Sequence, residues 1–340
     1  MAEDHRVPVT LLTGFLGSGK TTLLNRLLRA PAMQDTAVVI NEIGEAGLDH
    51  ILARTVEDTY LADNTVLLGS GCLCCTLKNE LADTLRDLFY KRMVGAIPPF
   101  SRMVIETTGL ADPGPIMTNL LGDRVIGEQY RLDAVVVTVD ATHGKQQLEQ
   151  HGEARQQAAV ADVLLITKTD VATNEQTDTL ASALSLINPG ATQHRTILGD
   201  IASACIVDVG LFDRGGKQAT PQRWLRAPER SQARRGMVPQ KVHDDEIVSF
   251  TVTLPWPLTW RQLQPALLWI CSTFGERLLR MKGIVHAEDF PAPIAIHAVQ
   301  HTLYPPTLLS GWDEDEPITR VVLIGKGLDE MRARAALMQI

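Results

Sequence analysis

Between Val7 and about Val209 the chain alternates two patterns: short runs that are apolar along their whole length, and longer stretches in which apolar residues recur every three or four positions. The runs VPVTLLTG, TAVVINE, NTVLLGS, SRMVIETT, LDAVVVTVD, DVLLITKTD and ATQHRTIL predict strands, most of them covered on both faces. Helices are predicted between them. One runs from Thr21 to Arg29 and is stopped by Pro31; a second, Leu77 to Tyr90, sets Leu77, Leu81, Leu85 and Leu88 on one stripe; a third spans Glu153 to Val160. Strands and helices in this alternation predict an α/β layer with a mostly parallel sheet. From about Phe212 to Asp245 the periodicity fails and Arg, Gln, Gly and Pro crowd together, which reads as a polar linker. Beyond it EIVSFTVTLP alternates, TWRQLQPALLWICSTF is helical, LLRMKGIVHAE, PIAIHAVQHTLYP and TRVVLIGKG are strand-like, and a helix closes the chain near Asp329 to Met338. The expected organisation is a domain over 1–211, a linker over 212–246 and a smaller α+β domain over 247–340.

Composition narrows the function classes. The chain has 340 residues, 45% of them hydrophobic, enough for a real buried core, and a formal charge of -8 that argues against a broad basic surface for nucleic acid. The start, MAEDHRVPV, is acidic where a signal peptide would be basic, and VPVTLLTGFLG is too short and too broken by glycine to span a membrane. We expect a cytoplasmic protein with neither a nucleic-acid nor a membrane partner. In a reducing compartment the cluster Cys72, Cys74 and Cys75 points to metal or redox chemistry rather than to disulfides. Cys205 and Cys271 stand alone and read as inert core residues.

The sharpest motif is GFLGSGKTT, Gly14 to Thr22, which fits G-x-x-x-x-G-K-[ST] with a strand before it and a helix after it. It predicts a P-loop NTPase domain. Gly14, Gly17, Ser18 and Gly19 would turn their N–H groups toward phosphate oxygens, Lys20 would add a point charge, the Thr21 hydroxyl would ligate Mg²⁺, and Thr22 is counted with them among the nucleotide-binding residues. The loop alone leaves kinase, ATPase and GTPase open. TKTD, at the end of an apolar strand, resembles the guanine-reading N/T-K-x-D of GTPases, with Thr167 where many have Asn. Asp170 would accept the guanine N1 and N2 protons and the Lys168 stem would cover the ring. ETTGLADP puts Glu106 at a strand end as an Mg²⁺-shell carboxylate and Gly109 where an N–H could sense a γ-phosphate.

Taken in order, GFLGSGKTTLLNRLL, NEIGEAGLD, GCLCC, ETTGLADP and TKTD, with LLRMKGIV and VQHTLYPP near the end, resemble the CobW family of P-loop GTPases, which includes zinc-responsive metallochaperones and activators of nitrile hydratase. The resemblance implies GTP hydrolysis coupled to a transition metal, Zn²⁺ or Co²⁺, at Cys72, Cys74 and Cys75, and delivery of that metal to a client metalloprotein. Thiolates are soft donors that suit these ions, and Lys78 with the following helix start would favour their ionised form. Glu42 and Glu45, in a loop that resembles a switch, are the expected hard co-ligands. The sequence departs from the common pattern at Ile43, Lys78 and Glu80, and it has no His-rich tract; His297 and His301, four apart in IHAVQHTLY, would share one face of a strand. Two further classes stay open: a metal-responsive GTPase regulator that delivers nothing, and a P-loop small-molecule kinase, against which TKTD speaks. Neither the client nor the oligomeric state is legible.

Overall fold

The computed structural model describes residues 5–40, 66–69, 80–207, 209, 247–255, 257–309 and 319–340. They belong to two compact units, one formed by Met1–Ala183 and Thr192–Gly210, the other by Leu184–Ala191 and Leu211–Ile340.

The first unit is built on seven strands in the order β3-β2-β4-β1-β5-β6-β7. They are β1 (Val7–Gly14), β2 (Thr36–Ile40), β3 (Val66–Gly69), β4 (Arg102–Glu106), β5 (Tyr130–Asp140), β6 (Val163–Thr167) and β7 (Thr192–Arg195), and every pairing is parallel. Parallel neighbours need crossover helices. These are α1 (Lys20–Leu27), α2 (Glu80–Met93), α3 (Pro113–Gly122), α4 (Arg124–Gln129), α5 (Gly144–Gln150), α6 (Gly152–Val160) and α7 (Asn174–Ile187). The continuous apolar runs are explained by burial: Val9, Leu11, Val38, Ile105, Val135 and Leu165 are shut off from solvent. On one face Leu23, Leu24 and Leu27 of α1 pack on Leu12, Val38, Val104, Val136 and Leu165. Each such leucine contributes about 1.5–3 kcal/mol by leaving water. Leu81, Leu85 and Leu88 of α2 are buried as their spacing predicts, while Leu77 lies outside the described residues.

The strand order puts β1 between β4 and β5, although α1 carries the chain past β4 to reach β2. That reversal is a topological switch point, and in open α/β sheets the crevice at the carboxyl ends of such strands receives the ligand.

The second unit is an antiparallel sheet, β11-β10-β9-β13-β8, with β12 paired to β10. Its strands are β8 (Ile247–Leu254), β9 (Leu278–Val285), β10 (Ile294–Val299), β11 (Thr302–Leu303), β12 (Thr307–Leu308) and β13 (Thr319–Lys326), joined by α8 (Trp260–Phe274) and α9 (Glu330–Met338). A capping box starts α8, in which Thr259 and Gln262 satisfy each other's backbone N–H groups. Its stripe of Leu263, Leu267, Ile270 and Phe274 is in the core with Leu337 of α9 and Val252, Met281, Ile296 and Leu323 of the sheet.

One expectation fails here. His297 and His301 do not share a strand: β10 ends at Val299, the chain turns through Gln300 at φ 50, and His301 is exposed ahead of β11, while His297 is buried within β10. Gln300 in a left-handed conformation carries no turn signal that a reader of sequence could use.

Candidate nucleotide site

Five loops leave the carboxyl ends of β4, β1, β5, β6 and β7 side by side. The central one is the phosphate loop. A side chain at Gly14 would put its Cβ 2.4 Å from the Thr138 carbonyl oxygen of β5, so only glycine fits where the loop departs. The Ser18 hydroxyl, fully buried, bonds the Thr138 hydroxyl at 2.7 Å and fixes the loop's far side to the same strand. Lys20 folds its ammonium back over the loop, donating to the carbonyls of Gly14 at 2.8 Å and Phe15 at 3.1 Å. Gly19, left-handed, begins α1 with no side-chain cap, so the first-turn N–H groups and the helix dipole suit the approach of an anion. Phe15 stacks on His151 at the start of α6, with ring centroids 4.6 Å apart.

On one side of this loop Glu106 ends β4. It is buried, and its Oε1 accepts the Thr21 hydroxyl at 3.0 Å. A hydroxyl and a carboxylate at contact distance form the hard oxygen donor set that Mg²⁺ prefers, so these residues fit that ion. The following segment is tied down twice: Thr107 donates its N–H to Leu12 and its hydroxyl to Thr13, and Gln157 of α6 donates from Nε2 to the carbonyls of Gly109 at 3.2 Å and Ala111 at 3.0 Å. Gly109 packs so closely on the phosphate loop that a Cβ there would lie 2.6 Å from the Leu16 nitrogen. Asp112 then caps α3, accepting from the Gly114 N–H, with Pro113 in the first turn.

On the other side, Thr167 ends β6. Its hydroxyl donates to the Ser18 carbonyl at 2.7 Å, which joins the TKTD loop directly to the phosphate loop. Lys168 is left-handed at φ 55 and its ammonium reaches the Asp140 carboxylate at 2.7 Å, while Asp170 is exposed. Burial opposes the charge on Asp140, yet the Lys168 ammonium and the Thr142 hydroxyl and N–H outweigh it and hold its carboxyl down at about 2. The loop after β7 completes the row: Thr169 donates to the Thr196 carbonyl, and a Cβ at Gly199 would sit 2.9 Å from the Leu23 Cα of α1.

The structure thus brings Gly14, Gly17, Ser18, Gly19, Lys20, Thr21, Thr22, Glu106, Gly109, Thr167, Lys168 and Asp170 to one edge of one sheet. Sequence reasoning missed Thr138, Asp140, Gln157 and the loop Thr196–Asp200. The acidic residue that ends LDAVVVTVD was a usable signal, of the same kind that singled out Glu106. Cys72, Cys74, Cys75, Glu42 and Glu45 lie outside the described residues. Among the described residues no group of three or more His, Cys, Asp and Glu is arranged to hold a metal ion, and no helix is long and apolar enough to cross a membrane. Of the remaining cysteines, Cys271 is buried in the second core, where burial pushes its thiol up to about 12, and Cys205 is half-buried.

A G-x-x-x-x-G-K-T loop on the central strand of a parallel sheet, tied to a T-K-x-D loop two strands away, defines a P-loop NTPase of the GTP-binding kind. Residues 8–195 match the CobW/HypB/UreG nucleotide-binding domain and residues 247–340 the cobalamin synthesis protein cobW C-terminal domain; the chain belongs to the CobW family. It is 35% identical over 334 residues to the zinc chaperone YjiA of Escherichia coli, a match covering 97% of each chain. The zinc-regulated GTPase metalloprotein activator 1 of Schizosaccharomyces pombe is 30% identical over 308 residues, 83% of this chain and 73% of that one. The crystal structure of Zn(II)-bound YjiA GTPase from E. coli superposes with a TM-score of 0.69 at 30% identity, covering 97% of this chain and 98% of that one.

Proposed function

We propose that the protein is a GTP-hydrolysing metallochaperone that takes up Zn²⁺ or Co²⁺ at Cys72, Cys74 and Cys75, with Glu42 and Glu45 as co-ligands, and passes it to a client metalloprotein. The observation that carries the nucleotide half is the 2.7 Å bond from the Thr167 hydroxyl to the Ser18 carbonyl, which makes the base loop and the phosphate loop one site. In that site Lys20 and the loop N–H groups would stabilise charge building on the transferring phosphoryl group as water attacks in line and GDP leaves. Thr21 and Glu106 would hold Mg²⁺, which when bound supplies positive charge against the phosphate oxygens. Asp170 would select guanine, and the Gly109 N–H would register the γ-phosphate. We also assign 1–211 to the GTPase domain, 212–246 to a tether and 247–340 to the α+β domain. The metal half is supported by the names of the relatives and by the soft chemistry of three clustered thiols.

The test is competition titration of Zn²⁺ and Co²⁺ into the full chain, free, with Mg²⁺ and GDP, and with Mg²⁺ and a non-hydrolysable GTP analogue, with the triple Cys→Ser variant as control. A rise in affinity of about tenfold with the analogue alone, a coupling of about 1.4 kcal/mol, is expected of a nucleotide-gated delivery site. Equal affinity in all three states would overturn delivery gated by GTP.

A further inference from the structure

The Asp140 carboxylate takes no part in the motifs above, yet it is one of the most heavily bonded groups at the nucleotide edge. Its side chain is 3% exposed. Oδ1 accepts the Thr142 hydroxyl at 2.6 Å, the Thr142 N–H at 2.7 Å and the His143 N–H at 3.3 Å. Oδ2 accepts the Lys168 ammonium at 2.7 Å and has the Nδ1 of exposed His143 at 3.4 Å. Exposed ion pairs contribute little, but this acceptor is desolvated and already oriented by the turn that follows β5.

Lys168 is therefore pinned at both ends. Its backbone is left-handed and its carbonyl accepts from the N–H groups of Val171 and Ala172, while its head is drawn to Asp140, 28 residues back in the chain. Between these fixed points the four-carbon stem has little freedom. The strand pairing needs no such help, because Asp140 and Thr167 are register partners and Ala141 donates its N–H to Thr167 across the same strand ends. A left-handed lysine persists only where its surroundings over-determine it, and such residues gather at ligand sites.

We infer that Asp140 is a positioning residue for base selection: by holding the Lys168 head it sets the stem as a shelf that brings the purine into the plane of the Asp170 carboxylate. This rests on the guanine reading of Thr167–Asp170. Adenine has neither the N1 proton nor the 2-amino group that Asp170 would align, so loss of the shelf falls on guanine nucleotides and narrows the difference between GDP and ADP. A residue that only braced the fold would weaken both nucleotides together.

The experiment measures GDP and ADP dissociation constants for the full chain as wild type, Asp140→Asn, Lys168→Met and the double variant, with thermal melts to confirm folding. Asp140→Asn is expected to weaken GDP by about tenfold, the scale of one charge-assisted hydrogen bond, with ADP unchanged, and to have less than about a twofold effect once Lys168 is Met. Asp140→Glu, which keeps the charge but displaces it by one methylene, is expected to fall in between and serves if Asp140→Asn melts early. Equal losses for GDP and ADP, or the same loss with and without Lys168, would overturn the inference while leaving the guanine reading intact. A wild type that binds ADP as tightly as GDP would overturn the guanine reading itself, and this inference with it.

Discussion

Thr167 shows how one atom can decide what a motif means. Where many GTPases carry Asn, this chain has a hydroxyl, and that hydroxyl still reaches the phosphate loop at Ser18. Thr167→Val keeps the β-branched shape and removes the hydroxyl's bond to Ser18, together with its longer one, 3.3 Å, to the Val139 carbonyl within the sheet. Because a buried hydrogen bond is worth about 1 kcal/mol, GDP affinity is expected to fall about fivefold, read by calorimetry; an unchanged value would mean the two loops are not coupled through this contact. Cys271 permits a second prediction. Its thiol is buried and its ionisation pushed up to about 12, so in the native chain at pH 8 it should resist alkylation, with mass spectrometry finding it labelled only after denaturation. Positions marked by a local motif were legible: the P-loop signature, TKTD and Glu106 each announce themselves within a few residues, and the structure places them at one sheet edge. Asp140 carries the same strand-end signal as Glu106, but its pairing with Lys168 was not legible, because that partner is 28 residues away and only the parallel pairing of β5 and β6 brings them together.

Among elements, α6 has the most consequential placement. Its first turn meets the phosphate loop through the His151–Phe15 stack, and Gln157 holds the Gly109–Ala111 segment from two carbonyls. Replacing Gln157 with Leu leaves those carbonyls without their donor. If Gly109 registers the γ-phosphate, the non-hydrolysable GTP analogue should lose about five- to tenfold in affinity while GDP changes less than about twofold; parallel losses would reduce Gln157 to a packing residue. Strands were easier to read than helices, since covered strands are apolar throughout. The helices α3 and α4 escaped notice because GLADPGPIMTNLLGDRVIG carries the glycines and prolines of a loop. The structure uses Pro113 in a first turn, and Asp112 and Asp123 as caps, the latter with its carboxyl lowered by the Ile126 N–H. The PIAIHAVQHTLYP run failed for the opposite reason, since a reversal made by Gln300 leaves no mark in residue type.

For the molecule as a whole, the fold class was written in the alternation of patterns, whereas the order of the strands, which creates the crevice, was not. Acid stability follows from the charge at that crevice. In the unfolded chain an aspartate titrates near about 3.9. Asp140 in the fold is held at about 2, so its contribution is fully present above pH 4 and is lost as pH falls toward 2. Urea midpoints at pH 7, 4 and 2.5 should drop more steeply over the last interval for wild type than for Asp140→Asn; identical slopes would show that the carboxylate is not linked to folding. The strand order has one more consequence, for synthesis. The loops around the crevice come from Gly14 at one extreme and from Gly199, beyond β7, at the other, and β1 cannot present its loop correctly until β5 supplies Thr138 and β6 supplies Thr167. A ribosome must therefore have released about 200 residues before the nascent chain can grip a nucleotide. From that moment the ligand itself favours the folded form by mass action, so the cell's guanine nucleotide pool acts as a folding partner for a domain whose parts are useless singly.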